Sequence, residues 1–141
     1  MPRATFFEFR GPRWDLALCR QVEAAYGAGE RVCVWAESEA EARRLDDLLW
    51  TFRDESFVPH DLWQGEDALD TPVAVGWRAG NPNAATCLVL ARDAAPAEAA
   101  RFARVVDFAP VDLPARLGPA RARFRAFRAA GFEVAFQKGG E

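Results

Sequence analysis

The chain has few of the residues that most often carry enzymatic chemistry. Its 141 residues include one histidine and three cysteines, and the cysteines show neither CxxC nor CxxH spacing. The common zinc motifs and redox pairs are therefore excluded. Cys19, Cys33 and Cys87 lie far apart, and the last two stand in apolar runs. We interpret all three as buried thiols of a protein from a reducing compartment.

Phosphate-binding and nucleophile motifs are also absent. A phosphate loop needs a glycine-rich turn between a strand and a helix. The GxG at 27–29 follows a predicted helix and precedes a predicted strand, and the turn at 10–13 (RGPR) has a single glycine. No GxSxG is present. We expect no bound nucleotide, no other cofactor and no catalytic residue.

The single histidine, His60, stands next to Asp61. The two residues could form half of an acid–base pair, but the sequence supplies no second histidine or nearby cysteine for a metal. The favoured interpretation is a histidine that hydrogen-bonds to backbone and fixes its loop. We therefore predict no metal site.

Targeting and membrane signals are missing as well. Glu8 and Arg10 interrupt the apolar residues of the N-terminus, so no signal-peptide core is formed. No apolar run approaches the roughly 20 residues of a membrane span. We expect a cytoplasmic protein without a membrane partner. The length and the lack of repeats or linkers predict a single domain over residues 1–141.

Apolar periodicity predicts strands that alternate with helices. This order favours an α/β domain with a mostly parallel sheet and helices on both faces. The strands at 72–77 and 87–91 are close enough in sequence to form a hairpin, which would make the sheet mixed. Residues 51–69 show no period and are predicted to form a long ordered loop, and the tail at 138–141 is expected to fray. The predicted elements are strand 4–9, helix 14–26, strand 31–35, helix 38–50 with a capping box at Ser38 and Glu41, strands 72–77 and 87–91, helix 96–101, strand 105–108, helix 115–130 and strand 132–136.

Charge is distributed unevenly along the chain. Residues 30–70 hold twelve acids and four arginines, a local balance of −8, whereas residues 114–138 hold six bases and one acid, a balance of +5. In the predicted last helix Arg121, Arg125 and Arg128 fall at i, i+4 and i+7 and form one ridge, with Phe124 beside it. A cationic ridge next to an aromatic ring suits an acidic peptide with an apolar end. The alternative is a solvated arginine face without a partner.

Five segments form a specific pattern along the whole chain, of which the stretch from 44–50 (RLDDLLW) to 55–60 (ESFVPH) is the least generic. The others are 4–6 (ATF), 105–108 (VVDF) and 123–132 (RFRAFRAAGF). In this order the segments resemble the chi subunit of bacterial DNA polymerase III holoenzyme. The resemblance implies a Rossmann-like three-layer α/β/α fold without nucleotide binding. It also implies a non-catalytic subunit of the replicative polymerase, associated with the clamp loader.

The resemblance further implies two partners. Chi proteins pair with the psi subunit, through which they reach the clamp loader, and that contact includes the positions of Trp50 and Phe57. The neighbours Val58, Pro59 and Trp63 are predicted to belong to the same interface.

Chi proteins also bind the acidic C-terminal tail of single-stranded DNA-binding protein, which ends in an aromatic residue and a free carboxylate. The matching positions are Ala109, Arg121, Phe124 and Gly131, and we add Arg125 and Arg128 as sources of positive field. Ala109 stands where the best-known pattern has valine, and Phe124 where it has tyrosine. These changes widen the pocket and remove one hydroxyl.

We expect Arg121 to bind the terminal carboxylate of the tail, and the tail aromatic to rest between Phe124, Ala109 and the backbone at Gly131. Arg123, on another side of the helix, is expected to matter little for binding. DNA would be contacted only indirectly. Two other classes stay open, a small α/β enzyme and a direct binder of single-stranded nucleic acid.

Overall fold

The computed structural model describes residues 2–138. The predicted fraying at 138–141 is wrong for Lys138, which is the last residue of a strand and is aligned with Glu8, and residues 139–141 lie outside that range. The strands and helices are β1 (Arg3–Phe9), α1 (Trp14–Gly27), β2 (Val32–Trp35), α2 (Glu39–Thr51), β3 (His60–Leu62), β4 (Val73–Gly76), β5 (Cys87–Leu90), α3 (Pro96–Ala99), β6 (Arg104–Pro110), α4 (Pro114–Ala129) and β7 (Glu133–Lys138).

All seven of these strands lie in one parallel sheet, in the order β3-β4-β2-β5-β6-β1-β7. The predicted hairpin at 72–91 is wrong, because β4 and β5 lie on opposite sides of β2 and both run parallel to it. Every residue of β4 and β5 is buried. Runs that are apolar throughout are typical of parallel strands covered on both faces, and this signal outweighs the short connection.

The connection from β4 to β5 is fixed by side chains that bind its backbone. The indole Nε1 of Trp35 donates to the carbonyl of Gly80 over 2.9 Å, and Arg31 donates to the carbonyl of Asn83 over 2.7 Å. The side-chain amide of Asn83 in turn donates to the carbonyl of Val32. These bonds hold the connection against the face of β2 that carries Cys33 and Trp35, and β5 follows on the other side of β2.

Helices cover both faces of the sheet. Helices α1 and α2 pack on one face over a core that includes Leu18, Leu45 and Val34. The other face carries α3 and α4, with a core that includes Trp35 and Phe127. The predicted α/β fold with three layers and a parallel sheet is therefore confirmed.

The sequence did not predict β3, because three residues are too few to show a period. It pairs in parallel with β4 and forms one edge of the sheet. The opposite edge is β7. Exposed aromatic side chains lie beside β3 and on β7.

Two predicted helix ends can be compared with the structure. Ser38 caps α2, since its hydroxyl accepts from the amide of Glu41. The carboxylate of Glu41 bonds to Arg44 and not back to Ser38, so the predicted capping box is only half formed. Gly131 follows α4 with φ +93°, a left-handed conformation that glycine adopts without strain.

Candidate partner-binding surfaces

Three large hydrophobic side chains are exposed in the described part of the chain. Trp50 is 47% exposed, Phe57 is 69% exposed and Phe136 is 49% exposed. Trp50 and Phe57 lie beside β3, whereas Phe136 stands on β7. The exposed aromatic area is thus concentrated at the two edges of the sheet, and exposed apolar area of this kind is typical of binding surfaces.

The first surface, the aromatic patch, consists of Trp50, Phe57 and Pro59. Trp50 is on the last turn of α2, and Phe57 is in the loop that leads to β3. Their ring centroids are 5.8 Å apart and the planes are tilted by 41°. Pro59 is partly buried next to them. The rings support each other and leave their outer faces in solvent.

His60 holds this patch from below. It is buried, and its ring centroid lies 4.0 Å from that of Trp50. Nδ1 lies 2.7 Å from the carbonyl of Val58, and Nε2 lies 2.8 Å from the carbonyl of Asp46. The prediction that His60 binds backbone and fixes its loop is confirmed. Because both partners are acceptors, both contacts are hydrogen bonds only when each ring nitrogen carries a proton.

Two residues predicted for the same interface lie elsewhere. Val58 is 1% exposed and belongs to the core under α1 and α2, so its side chain is not part of the patch. Trp63 is partly buried and lies against Gly76 and Gly80, where a Cβ atom would come within 2.7 and 2.5 Å of its ring. Its indole donates to the carbonyl of Glu66. Val58 and Trp63 therefore pack beneath the loop that carries the patch and contribute little to its exposed surface.

Acidic residues are close in sequence to the aromatic patch. Asp47, Asp54, Glu55 and Asp61 are exposed and lie within three residues of its members, as does the exposed Arg53. Asp46 is half-buried, and burial together with the nearby Asp47 and Asp61 raises its pKa, while His60 acts in the opposite direction. The surface combines apolar rings with negative charge, which suits an apolar partner with basic residues at its rim.

The second surface, the arginine face, consists of Arg121, Arg125 and Arg128 on α4 with the neighbouring Phe124 and Phe136. The three arginines are exposed along one side of α4, as predicted. The guanidinium of Arg128 lies 5.9 Å from the ring centroid of Phe124. Phe124 is partly buried and lies 5.2 Å from Phe6 of β1, measured between ring centroids.

Strand register places Phe136 on the same face of the sheet as Phe124. Phe136 of β7 is aligned with Phe6 of β1, so both side chains point to the face that α4 covers. Phe124 contacts Phe6 from above. Phe124 and Phe136 therefore lie over the buried Phe6, between α4 and the β7 edge. Sequence reasoning missed Phe136, because nothing in the last apolar run shows that its strand is an edge.

The predicted tail pocket needs a correction at Ala109 and Gly131. Ala109 is buried and aligned with Glu8, which is aligned with Lys138 at the far end of β7. Gly131 precedes β7, so it lies near the amino end of that strand, roughly 23 Å from Lys138 at about 3.3 Å per residue. One aromatic ring cannot touch both. Arg121 and Phe124 lie on the same helix, α4, and Phe136 is an exposed apolar side chain at the β7 edge.

Arg123 has a different environment from the three exposed arginines. Its Nε donates to Asp107 over 2.7 Å, and its Nη1 donates to Asp93 over 2.5 Å. Asp107 is 1% exposed, and burial raises its pKa while Arg123 counteracts that effect. The amide of Phe108 donates to the same carboxylate. Arg123 is therefore structural and cannot serve as a neutral control for binding.

A cleft of about 270 Å³ opens beside this ion pair at the carboxyl ends of the strands. In Rossmann-like sheets this is where ligands most often bind. Its one buried acid, Asp107, has its oxygens engaged by Arg123 and Phe108 and is not free for proton transfer. Arg116, also in the cleft wall, lies 4.9 Å from the centroid of the Trp14 ring.

In the turn between β1 and α1, backbone amides are already bonded to carboxylates. The amide of Gly11 donates to Asp112 over 2.8 Å, and Asp15 accepts from the amide of Leu16 at the start of α1. A phosphate would need these donors for itself. The turn is thus ill suited to a nucleotide.

Burial raises the pKa of the Cys19, Cys33 and Cys87 thiols to about 12, so they stay protonated and unreactive at neutral pH. Within residues 2–138 there is no cluster of three or more metal-ligating side chains. In the same range no helix is both long and apolar enough to span a membrane.

The sequence and the fold both have relatives among known proteins. Residues 1–135 match the family described as DNA polymerase III chi subunit, HolC. The DNA polymerase III subunit chi of Pseudomonas aeruginosa is 35% identical over 116 residues, which cover 82% of this chain and 80% of that protein. The DNA polymerase III subunit chi of Escherichia coli is 32% identical over 118 residues, covering 83% and 80%.

A structural relative shows the fold alone. The crystal structure of T4 UvsW superposes with a TM-score of 0.67 and 9% sequence identity, over 97% of this chain and 41% of that one. The sequence matches carry the assignment, and they confirm the resemblance found in the sequence. The chain belongs to the DNA polymerase III chi subunit family, accessory subunits of a replicative DNA polymerase.

Proposed function

We propose that the protein is a non-catalytic bridge between two partners, the psi subunit and the acidic tail of single-stranded DNA-binding protein. The observation that carries this proposal is the position of the exposed aromatic rings at opposite edges of the sheet, in surroundings of opposite charge. A bridging subunit needs two such surfaces that do not overlap.

The distance between the surfaces supports simultaneous binding. Six strand intervals separate β3 from β7. At about 4.8 Å per interval they span roughly 29 Å. Neither partner would cover the other's surface unless it were large enough to wrap around the sheet.

The aromatic patch is the proposed site for the psi subunit. Trp50 and Phe57 are large, exposed and held rigidly, since His60 and the end of α2 support them from below. Rigid aromatic anchors lose little conformational entropy on binding and commonly dominate interface energies. Val58 and Trp63 contribute by positioning the loop.

The arginine face is the proposed site for the tail. The guanidinium of Arg121 can hold a terminal carboxylate through two parallel hydrogen bonds. Arg125 and Arg128 attract the preceding acids, and Phe124 with Phe136 offers apolar area for the terminal ring. The positive area is small and lies on a protein of net charge −3, which favours an acidic peptide over a nucleic-acid duplex.

The psi interaction is tested by Trp50→Ala combined with Phe57→Ala. Each truncation of a central aromatic anchor typically costs more than about 2 kcal/mol of binding energy. Co-purification with a tagged psi subunit should therefore fail, while circular dichroism stays native. An unfolded double variant would show that these rings serve the core, and intact capture would refute the patch.

The tail interaction is tested with a fluorescent acidic peptide that ends in phenylalanine and a free carboxylate. Arg121→Ala should weaken binding by about 2–3 kcal/mol, the range for one member of a close charge pair. Arg116→Ala is the matched control, because Arg116 is on the same helix but faces Trp14 and the cleft. Equal losses would indicate a diffuse charge effect. Tighter binding of an oligonucleotide than of the peptide would favour a direct nucleic-acid binder.

A further inference from the structure

The β7 strand is an edge of the sheet that nothing in the described structure covers. Of its six residues, Val134 is partly buried and the other five are exposed. Charged residues stand only at its two ends, Glu133 and Lys138. Natural edge strands are commonly blocked by charges, prolines or bulges along their length. The middle of β7 has none of these.

The orientation of the β7 backbone follows from one hydrogen bond. The amide of Glu133 donates to the carbonyl of Pro2 over 3.0 Å, so Glu133 faces β1. Successive residues of a strand alternate in direction, and Ala135 therefore also faces β1. Val134 and Phe136 point their N–H and C=O groups away from the sheet. These are the groups that an added strand would bond.

The side chains of Val134 and Phe136 point to the face of the sheet that α4 covers. Val134 and Phe136 are aligned with Ala4 and Phe6, whose side chains lie in the core beneath α4. A segment added along β7 would place alternate side chains beside Phe136 and Phe124. It would lie next to the side of α4 that carries the exposed arginines.

The arginines also indicate the direction of such a segment. Helix α4 connects two parallel strands and must run opposite to them, so Arg121 lies toward the carboxyl ends of the strands and Arg128 toward their amino ends. A peptide parallel to β7 would bring its terminal carboxylate near Arg121 and its earlier acids near Arg125 and Arg128. The charge order of an acidic tail with an apolar end matches this direction.

We infer that the acidic tail binds as an eighth parallel strand on the free edge of β7, with its terminal aromatic side chain between Phe124 and Phe136. This inference rests on the proposed tail-binding function and specifies its geometry. Backbone bonds to Val134 and Phe136 hold the segment, and the arginine face selects for its acids.

Amide exchange measured by NMR tests the inference directly. The probe is the peptide Asp-Asp-Asp-Asp-Ala-Ala-Phe with a free C-terminus, added to saturation to the full chain. Exchange at the amides of Val134 and Phe136 should slow by about tenfold or more, because these groups gain partners. The amides of Ala135 and Gln137 already face β1 and serve as internal references.

Two variants of the chain give an independent readout. Phe136→Ala should weaken peptide binding by about tenfold, as expected for loss of an aromatic anchor. Gln137→Ala is the control, since its side chain is on the other face of β7. Its affinity should stay within about twofold of the unsubstituted chain.

The outcomes separate this inference from the proposed function. If the peptide binds and depends on Arg121, but Val134 and Phe136 exchange as freely as before, the added strand is refuted and the tail-binding site stands. Absence of any peptide binding refutes both. Protection of β7 that rises with protein concentration alone would show that a second copy occupies the edge, which also overturns the inference.

Discussion

The two edges of the sheet use exposed aromatic rings in opposite electrostatic settings. At the β3 edge, Trp50 and Phe57 stand among aspartates and glutamates. At the β7 edge, Phe136 lies near a helix whose exposed side carries Arg121 and its neighbours. We propose that apolar area provides affinity at both edges and that the sign of the surrounding charge decides which partner is accepted.

A second contrast lies within α4 itself. Arg121 and Arg123 are two residues apart, yet one side chain is exposed and the other is bonded to the buried Asp107. The same residue type is therefore exposed to solvent on one side of the helix and paired with a buried acid on the other.

The contrast within α4 predicts very different stabilities for two alanine variants. Arg123→Ala leaves Asp107 buried without its charged partner, and such a change costs about 3–5 kcal/mol. Arg121→Ala removes an exposed side chain and should change the free energy of unfolding by less than about 0.5 kcal/mol. Urea unfolding measures both. Similar values for the two variants would contradict the assigned roles.

The aromatic patch offers the same comparison between adjacent residues. Val58→Ala empties space in the core and should lower the free energy of unfolding by about 2 kcal/mol. Phe57→Ala removes an exposed ring and should leave thermal unfolding nearly unchanged, while weakening capture of the psi subunit. A Val58→Ala variant with native stability and impaired capture would show that Val58 contacts the partner after all.

Salt should change binding affinity by different factors at the two edges. Exposed charges at the arginine face are screened at high ionic strength, so peptide affinity should fall by about tenfold between 50 and 500 mM salt. Capture of the psi subunit depends more on apolar contact and should change by less than about threefold. Isothermal titration calorimetry at both concentrations gives the comparison. An equal salt response would remove the electrostatic distinction between the edges.

Much of the fold was predictable from the sequence, because its signals are local. Continuous apolar runs marked β2, β4 and β5, and Gly131 marked the end of α4. The pairing of the strands was harder to predict. The short connection between β4 and β5 is compatible with a hairpin, but both strands pair in parallel with β2. Strand β3 has only three residues, which are too few to show a hydrophobic period.

The candidate surfaces were only partly predictable for a related reason. Trp50, Phe57 and the arginine ridge could be named from residue type and helical spacing. Burial of Val58 and the separation of Ala109 from Gly131 depend on which strands are neighbours and on their register. Asp107 in an otherwise apolar strand was a usable signal for a buried ion pair, and it would have assigned Arg123 to the interior.

The central claim is that the two edges bind their partners independently and at the same time. The most direct measurement is calorimetric titration of the acidic peptide into the chain alone and into its complex with the psi subunit. Independent sites predict one peptide per chain in both titrations, with dissociation constants within about twofold of each other. Loss of peptide binding in the complex, or weakening by about tenfold or more, would contradict the bridge.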